Sequence, residues 1–400
     1  MERQVKPWEV LAEKNFALFW SSLLASAIGD QISTVTIAWQ VYVITDSPFQ
    51  LGLTGLFRAL PIIIFSLTGG VLADRVSRRK LLIVTQSGAM ILAFLLGLLT
   101  SSGLVRVWHI YLITFLTGAV TTFDQPARGA LIPSLVRKEY LATAFALSVT
   151  LRQTSTLVGP FLAGIIIASL GITSAHYING FSFLGVIICL VLMRVDETWI
   201  VSKRESALQS LREGVHFMWR NSGIMALLVL DTCVSLFGAY KSMMPVFARD
   251  LLDVGPKGLG ILLGSPAVGA LVGSGAIMML GNPKRKGPLV IAVTLIHSAG
   301  LILFATSGSF MFSLVIAFAL GALDAVGETL RMTVIQLMTP DHLRGRVQSL
   351  VYLFVAGGPL LGQAQLGTAA AFLSVPGAVA MGGIVGMIAV GAMARRLSQL

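Results

Sequence analysis

Runs of about 20 or more apolar residues recur along the whole chain. Each run is long enough to cross a bilayer as a helix, which satisfies its own backbone hydrogen bonds in lipid. Of the 400 residues, 55% are hydrophobic and 12% are charged. Soluble domains carry about a quarter charged residues, so the sequence predicts an all-α membrane protein. The predicted transmembrane helices number twelve and lie at residues 15–44, 50–73, 80–101, 107–130, 139–170, 174–194, 223–250, 257–281, 287–306, 309–332, 344–372 and 374–394.

A long hydrophilic stretch divides these helices into two groups of six. We therefore predict an N-terminal domain at 1–194, a cytoplasmic linker at 195–222 and a C-terminal domain at 223–400. Apolar residues three and four apart in the linker predict an amphipathic helix on the inner membrane surface. This helix either ties the two halves together or regulates them. The residues of its apolar stripe are Leu208, Leu211, Val215 and Met218.

The net charge of +11 comes from short basic clusters between the apolar runs. With the N-terminus inside, all but six of the 29 Lys and Arg residues lie on the cytoplasmic side, as the positive-inside rule requires. Both termini are therefore predicted to be cytoplasmic. The first run lacks a basic start and a small-residue cleavage site, so we expect a retained span and no signal peptide. Nucleic acid is not an expected partner, because the bases are not gathered on a polar domain.

The sequence lacks the residue patterns that several kinds of chemistry require. Cys189 and Cys233 both lie inside apolar runs, which excludes a disulfide framework in practice, and no metal-ligand spacing is present. There is no Gly-Lys-Ser/Thr phosphate loop, so ATP is not the expected direct energy source. The dispersed His residues form no catalytic motif. We expect no enzyme, no metal and no cofactor.

Residues 70–80 form a short, basic junction between two apolar runs. The segment reads Gly-Val-Leu-Ala-Asp-Arg-Val-Ser-Arg-Arg-Lys, with one acid and four bases within seven residues. A junction this short must lie at a membrane surface, and its charge places it on the cytoplasmic side.

A weak internal repeat has an offset of about 200 residues. The motif Gly159-Pro160-Phe-Leu-Ala-Gly164 in span five is echoed by Gly358-Pro359-Leu-Leu-Gly in span eleven. Asp124, near the end of span four, has a counterpart in Asp324, which we expect near the end of span ten. Two six-span halves related in this way are typical of transporters whose substrate site lies between the repeats near mid-membrane.

The span number, central loop, repeat and junction together resemble the major facilitator superfamily over nearly the whole chain. The segments Asn15–Trp20 leading to Gly29-Asp30, and Asp124-Gln-Pro-Ala-Arg128, resemble the branch that holds the enterobactin exporter and the macrolide and multidrug efflux proteins. The resemblance implies two pseudo-symmetric six-helix bundles, alternating access, a small-molecule substrate and a monomer.

In this superfamily the loop at 70–80 acts as a cytoplasmic gate. The resemblance implies that Gly70 lets two helices approach and that Asp74 accepts hydrogen bonds from Arg128. Ser77 stands where Gly is usual, so we expect a tighter or differently capped turn. The alternative is a basic loop that only sets topology. The bases expected to pair with acids or lipid headgroups are Arg75, Arg78 and Arg79.

The Gly159-Pro160 motif with Gly164 resembles the span-five signature of exporting antiporters. Pro removes a backbone hydrogen bond and Gly removes bulk, so either a functional bend or close packing is expected there and at Gly358-Pro359. Span four has no base between 116 and 123. Proton-coupled drug exporters usually carry an Arg there, so coupling through that route is not expected.

Ionisable groups at mid-membrane are costly, and each one is a hypothesis for a functional site. Asp30 in span one, Arg58 in span two and Arg152 in span five fall at similar depth. We expect Asp30 to pair with Arg152, with Arg58 near the cavity. Either the pair opens during transport and couples proton flow, or it is a static link between spans one and five.

The C-terminal half offers a second set of charges. Asp324 and Glu328 are four residues apart and share a helix face. They would bind a cationic substrate or protons, or pair with Arg331, Arg344 or Arg346 as a second gate. Further candidates for cavity lining are Asp231, Lys241, Gln363, Gln365 and His297.

The leading hypothesis is an inner-membrane exporter of small amphipathic molecules such as drugs, driven by an ion gradient, with protons the first choice. Siderophore export is the alternative. A transport-inactive sensor or assembly partner is a further class, and the acid–base set in spans one and five argues against it. Membrane lipid is an expected partner in every case.

Overall fold

The computed structural model describes residues 6–193, 207–281, 283 and 285–398. This part of the chain is helical and contains no strand. Its helices are α1 Pro7–Leu11, α2 Lys14–Thr45, α3 Pro48–Arg75, α4 Arg78–Ser101, α5 Val107–Leu131, α6 Leu141–Leu192, α7 Ala207–Arg220, α8 Ser222–Phe237, α9 Met244–Val246, α10 Gly255–Leu280, α11 Lys286–Ala305, α12 Phe310–Met338, α13 Arg344–Leu373 and α14 Val375–Leu397. Between α8 and α10 the chain also forms a 3-10 turn at Tyr240–Met243 and a π-helical turn at Phe247–Leu251.

Twelve helical segments in the described residues are long enough to cross a membrane. Eight ranges meet both the length and the apolar composition of a span: Pro48–Phe65, Arg78–Ser101, Lys138–Leu192, Ser222–Leu251, Gly255–Leu280, Lys286–Ala305, Phe310–Met338 and Val375–Leu397. The third range holds two spans, because Gly171 at φ 82° and ψ 169° interrupts the helical geometry of α6. Helices α2, α5 and α13, with 32, 25 and 30 residues, supply the rest. The predicted all-α fold with twelve spans is confirmed.

Ser77 begins α4 in the conformation of an ordinary helix N-cap. Its hydroxyl accepts a hydrogen bond from the Lys80 backbone N–H at 3.3 Å, and its φ of −50° lies outside the left-handed region. A side-chain cap is the usual reason for Ser at this position. The turn therefore needs no glycine here.

The chain divides into two compact units. Unit 1 comprises Met1–Thr45, Phe57–Ser202 and Pro256–Gly260. In its core α2 packs along α6, and a Cβ at Gly29 or Gly159 would collide with side chains of the facing helix. The largest buried side chains of its main apolar cluster are Phe16, Phe19, Leu82, Leu131 and Leu190.

Unit 2 comprises Asp46–Leu56, Lys203–Gly255 and Ile261–Leu400. Its core includes Ile224, Leu227, Val290 and Leu330, and the linker helix α7 adds Met218, which is 4% exposed. Glu213 of α7 also pairs with Arg346 of α13. In the described residues the linker helix is thus packed onto unit 2; the side chains of Leu208 and Leu211 lie outside the described part.

Two pairs of glycines allow helix backbones to touch. In unit 2, a Cβ at Gly52 would lie 2.7 Å from the Gly367 Cα, and in unit 1 a Cβ at Gly164 would lie 2.9 Å from the Gly260 Cα. Real Cβ atoms do not approach backbone this closely, so any side chain would push the helices apart. These crossings bring residues 46–56 into unit 2 and 256–260 into unit 1.

The glycine–proline motifs are placed within long helices. Pro160 lies inside α6 and Pro359 inside α13, and the non-helical residue of α6 is Gly171, eleven positions beyond Pro160. Gly159 packs against α2, and a Cβ at Gly358 would lie 3.1 Å from the Ser235 Cβ of α8. The motifs thus provide close packing in the structure, while a functional bend stays a prediction.

Helix α12 is longer than the sequence suggested. It continues to Met338, six residues beyond the expected end at 332. Asp324 therefore lies 14 residues from each end of the helix, at its midpoint. Asp324 thus lies at the middle of its helix and not near the end as expected, because α12 continues past Arg331 to Met338.

Candidate functional site

In unit 1 the mid-membrane charges are held between α2, α3 and α5. Arg58 of α3 donates from Nη1 to the Thr34 hydroxyl at 3.0 Å, and Thr34 donates to the Asp30 carbonyl oxygen at 2.8 Å. The positive charges that act on Asp30 are those of Arg128 and Arg58. Asp30 thus lies between two arginines contributed by neighbouring helices.

The predicted pair between Asp30 and Arg152 is not formed among the described residues. Arg152 is exposed, whereas Leu151 and Ser155 on the adjacent face of α6 are buried. Thr156, one turn further along α6, accepts a hydrogen bond from Gln31 of α2 at 3.4 Å. Residues four apart share a helix face, so Arg152 lies on the side of α6 that faces α2 but makes no pair with Asp30 in the described part. Counting residues predicts depth along a helix but leaves its rotation undetermined.

Asp124 of α5 is a buried carboxylate with three donors. The Thr85 hydroxyl donates to Oδ1 at 3.0 Å and Gln86 Nε2 donates to it at 2.8 Å. Arg128, one turn further along α5, pairs with Oδ2. Asp124 is 2% exposed, so these donors replace the water that a carboxylate needs. The sequence signal was an acid in an apolar helix, but Thr85 and Gln86 were missed as its partners.

The basic junction before α4 binds helix ends. Arg78 donates to the Ala130 carbonyl at 2.7 Å, and Arg79 donates to the carbonyls of Leu190 at 2.5 Å and Val191 at 2.8 Å. These carbonyls close α5 and α6, where the helix leaves them without intrahelical partners. In the described part Arg78 and Arg79 therefore cap helix ends, while their pairing with acids or lipid headgroups stays a prediction.

The rest of the predicted gate is only partly described. The side chains of residues 66–75, which include Gly70, Asp74 and Arg75, lie outside the described part. Arg128 has Asp124 as its described partner. A contact between Arg128 and Asp74 stays a prediction.

In unit 2 a three-residue cluster lies at mid-membrane. Asp324 at the centre of α12 has Oδ1 3.2 Å from His297 Nε2 of α11 and Oδ2 3.5 Å from Lys241 Nζ of the 3-10 turn. The Asp324 and Lys241 side chains are 39% and 48% exposed, whereas that of His297 is 5% exposed. The Asp324 carboxylate is thus shared by two bases, the partly exposed Lys241 and the buried His297.

The other charges of unit 2 have partners of their own. Arg331 of α12 pairs with Asp231 of α8 at 2.8 Å. Arg344 pairs with Asp341 at 2.9 Å, and Arg346 pairs with Glu213 of α7. Asp324 makes no direct pair with these arginines in the described residues, and a second gate that includes Glu328 stays a prediction.

Two further candidates lie apart from the cluster. Glu328 is one turn beyond Asp324 on α12 and is exposed. Gln363 donates from Nε2 to the Thr54 hydroxyl at 2.7 Å, close to the crossing of Gly52 and Gly367. Gln363 therefore links α13 to the start of α3 within unit 2.

A buried polar chain that the sequence analysis missed joins three helices of unit 1. His176 Nε2 lies 2.8 Å from Gln40 Oε1, and Gln40 donates to the Thr100 hydroxyl at 3.0 Å. Polar residues in apolar spans were visible signals, but their pairing depends on helix rotation. In the described residues, no group of three or more His, Cys, Asp or Glu side chains could hold a metal ion.

Twelve spans in two helical units, with charged groups held at mid-membrane, define a multi-pass membrane transporter of the major facilitator superfamily. Residues 5–399 match the family model described as transmembrane secretion effector. The chain belongs to this family, and the substrate of such a transporter is a small molecule.

Relatives similar to the chain are exporters. The enterobactin exporter EntS of Shigella boydii serotype 18 is 26% identical over 363 residues, 90% of this chain and 86% of that protein. The same exporter from Salmonella choleraesuis is 25% identical over 361 residues, 89% of this chain and 86% of that protein. That of Escherichia coli O1:K1 is 26% identical over 363 residues, 90% of this chain and 86% of that protein.

Solved structures show the same fold. A peptide transporter POT in complex with sulfate superposes with a TM-score of 0.75 at 11% identity, covering 99% of both chains. A bacterial homologue of the iron transporter ferroportin in an inward-facing state superposes with a TM-score of 0.72 at 15% identity, covering 96% of this chain and 98% of that one. A bacterial homologue of the human lysosomal transporter Spinster superposes with a TM-score of 0.73 at 14% identity, covering 98% of this chain and 96% of that one.

Proposed function

We propose that the protein is a proton-coupled secondary active exporter of small amphipathic molecules. It works as a monomer by alternating access in a bacterial inner membrane, with both termini cytoplasmic. The family match and the exporters among its relatives support the direction of transport.

The observation that carries the proposal is a carboxylate with basic neighbours at mid-membrane in each unit. Asp30 is 16 residues into α2 and interacts with Arg58 and Arg128. Asp324 is at the midpoint of α12 beside His297 and Lys241. A charge at this depth costs several kcal/mol unless it is paired or wetted. The presence of such costly charged groups in both units favours a pathway for ions or polar substrates over a purely structural role.

A second candidate function is export of an anionic siderophore. Relatives named enterobactin exporter match 89–90% of this chain, and the half-exposed Lys241 offers a cation for an acidic or phenolic group. The two acids, Asp30 and Asp324, suit a cationic amphiphile instead. A substrate panel must therefore contain both kinds of molecule.

The test is uptake of labelled compounds into proteoliposomes with and without an imposed pH gradient. The panel consists of a lipophilic cation and a tricatecholate. We expect the gradient to drive flux of at least one of them. Because one pH unit is worth about 1.4 kcal/mol, an exchange of one proton per molecule supports about tenfold accumulation.

Two amide substitutions separate a transport role from a general loss of charge. Asp30→Asn removes the deep carboxylate of unit 1, and flux should fall by about tenfold or more if that charge takes part in transport. Glu13→Gln removes a carboxylate that pairs with Arg137 at 3.2 Å near the start of α2, and flux should persist. Equal flux in both variants and the unmodified protein would remove Asp30 from the mechanism, and no gradient-driven flux of any compound would refute the proposed function.

A further inference from the structure

The cluster of His297, Asp324 and Lys241 combines residues from three separate elements of unit 2. His297 lies on α11, Asp324 on α12, and Lys241 in the 3-10 turn that interrupts the span between α8 and α10. A break in a membrane helix frees backbone and lets a side chain such as Lys241 reach a neighbouring helix. The geometry gives one carboxylate two competing basic partners.

His297 is buried without a well-formed hydrogen bond. Its side chain is 5% exposed, and its Nε2 lies 3.2 Å from Asp324 Oδ1. Within the described part, neither ring nitrogen has a hydrogen bond of good geometry. The buried imidazole therefore has Asp324 as its charged neighbour on the Nε2 side, while Nδ1 has no hydrogen-bond partner in the described part.

The charges around His297 are few in the described part. Asp324 faces it from α12, and Lys241 and the buried Tyr240 hydroxyl come from the 3-10 turn. Arg331, one helix segment further along α12, is paired with Asp231 of α8. The remaining charged groups on these helices are Lys286 at the start of α11, the exposed Glu328 of α12 and, at the far end of α14, Arg395 and Arg396.

We propose that His297 is the residue that takes up the transported proton and that Asp324 is its counter-ion. The inference rests on the proposed proton-coupled function and assigns its coupling site. One N–H bond forms when the proton binds the free ring nitrogen, and no other covalent bond changes. Asp324 then exchanges its open partner Lys241 for the buried imidazolium.

A static ion pair between Asp324 and Lys241 would not require His297. Asp324 and Lys241 alone form a neutral pair, and the imidazole between the helices adds a polar group with no aligned partner. Imidazole is the side chain whose charge changes near neutral pH. In the cluster, proton binding changes the net charge by one and leaves Lys241 without its carboxylate, so the two protonation states favour different arrangements of α11, α12 and the turn.

The first experiment measures proton binding on the purified full-length protein. Carbon-13 labelling of the five histidines gives ring signals, and the His297 signal is assigned by its loss in His297→Gln or His297→Asn. The signal is followed between about pH 5 and 8, where imidazole side chains in general change charge, and we expect it to report proton binding to the ring. A ring that stays in one protonation state across that range overturns the inference.

The second experiment separates exchange from gradient-driven transport in proteoliposomes. His297→Gln should retain exchange of labelled lipophilic cation or tricatecholate at equal pH, which also shows that the variant folds. It should lose the accumulation of about tenfold that one pH unit drives. The control is His216→Gln, which changes an exposed histidine of α7 and should leave both activities intact.

The failures of the two proposals are distinct. If the unmodified protein shows no gradient-driven accumulation, the proposed function fails. If it does accumulate substrate and His297→Gln accumulates equally well, the inference fails while the proposed function stands.

Discussion

Asp124 shows what a single charged residue requires inside this protein. Its carboxylate is almost fully buried, and donors from α4 and from its own helix occupy both oxygens. Asp30 and Asp324 are different, because their partners are fewer and they lie in more open positions. The fully satisfied carboxylate is the structural one, and the partly satisfied carboxylates are the candidates for transport.

At this scale Thr85→Val tests the structural role of Asp124. The substitution preserves shape and removes one interhelical hydrogen bond, which is worth about 1–2 kcal/mol in membrane proteins. We expect a lower melting temperature in detergent and gradient-driven flux that is otherwise retained.

The matched control for Thr85→Val is Thr36→Val. Thr36 is also buried, but in the described part its hydroxyl bonds only to the Ile32 carbonyl of its own helix. We expect little change in melting temperature. An equal effect of the two substitutions would contradict the assigned role of the Thr85–Asp124 bond.

At the scale of helices, two devices hold the spans together: capping of helix ends by arginine and close crossings at glycine. Arg78 and Arg79 at the start of α4 bind the last carbonyls of α5 and α6. Arginine suits this position because its charge also favours the negative end of the helix dipole. The sequence predicted a basic junction at the membrane surface, but the carbonyl partners depend on how the helix ends converge.

Arg79→Gln should destabilise unit 1 by about 1–2 kcal/mol, because two carbonyls lose a charged donor and one of the bonds is exposed. Thermal unfolding in detergent measures the effect. The adjacent Lys80 is exposed, so Lys80→Gln removes the same charge without a cap. If the two variants have the same melting temperature, Arg79 does not stabilise the protein by capping helix ends.

Gly164→Ala should destabilise unit 1 by about 1–3 kcal/mol, as overpacking does. The added methyl would lie 2.6 Å from the Pro256 carbonyl oxygen and 2.9 Å from the Gly260 Cα, and backbone cannot yield as a side chain can. Gly185→Ala on the same helix meets nothing within 4 Å, so it should be neutral or slightly stabilising through helix propensity. Thermal melting of the two variants compares them directly, and equal stability would argue against the crossing at Gly260.

At the scale of the whole molecule, the sequence predicted the number of spans and the class of protein, because span length and charge bias are one-dimensional signals. It also predicted a charged residue deep in its span at Asp30, but it placed Asp324 near the end of its span. It did not predict their partners. Arg152, which was expected to pair with Asp30, makes no such pair in the described part, whereas His297 pairs with an acid that the sequence placed near the end of its helix. Partner choice depends on helix rotation and on where each helix ends.

The most direct measurement of the central claim is proton movement that accompanies substrate transport. Proteoliposomes loaded with a pH-sensitive dye and containing the unmodified protein report this movement when a lipophilic cation or tricatecholate is added outside. The account predicts a substrate-dependent pH change inside the vesicles that requires the protein and moves protons opposite to the substrate. Substrate flux without any proton movement, and without a response to an imposed pH gradient, would contradict it.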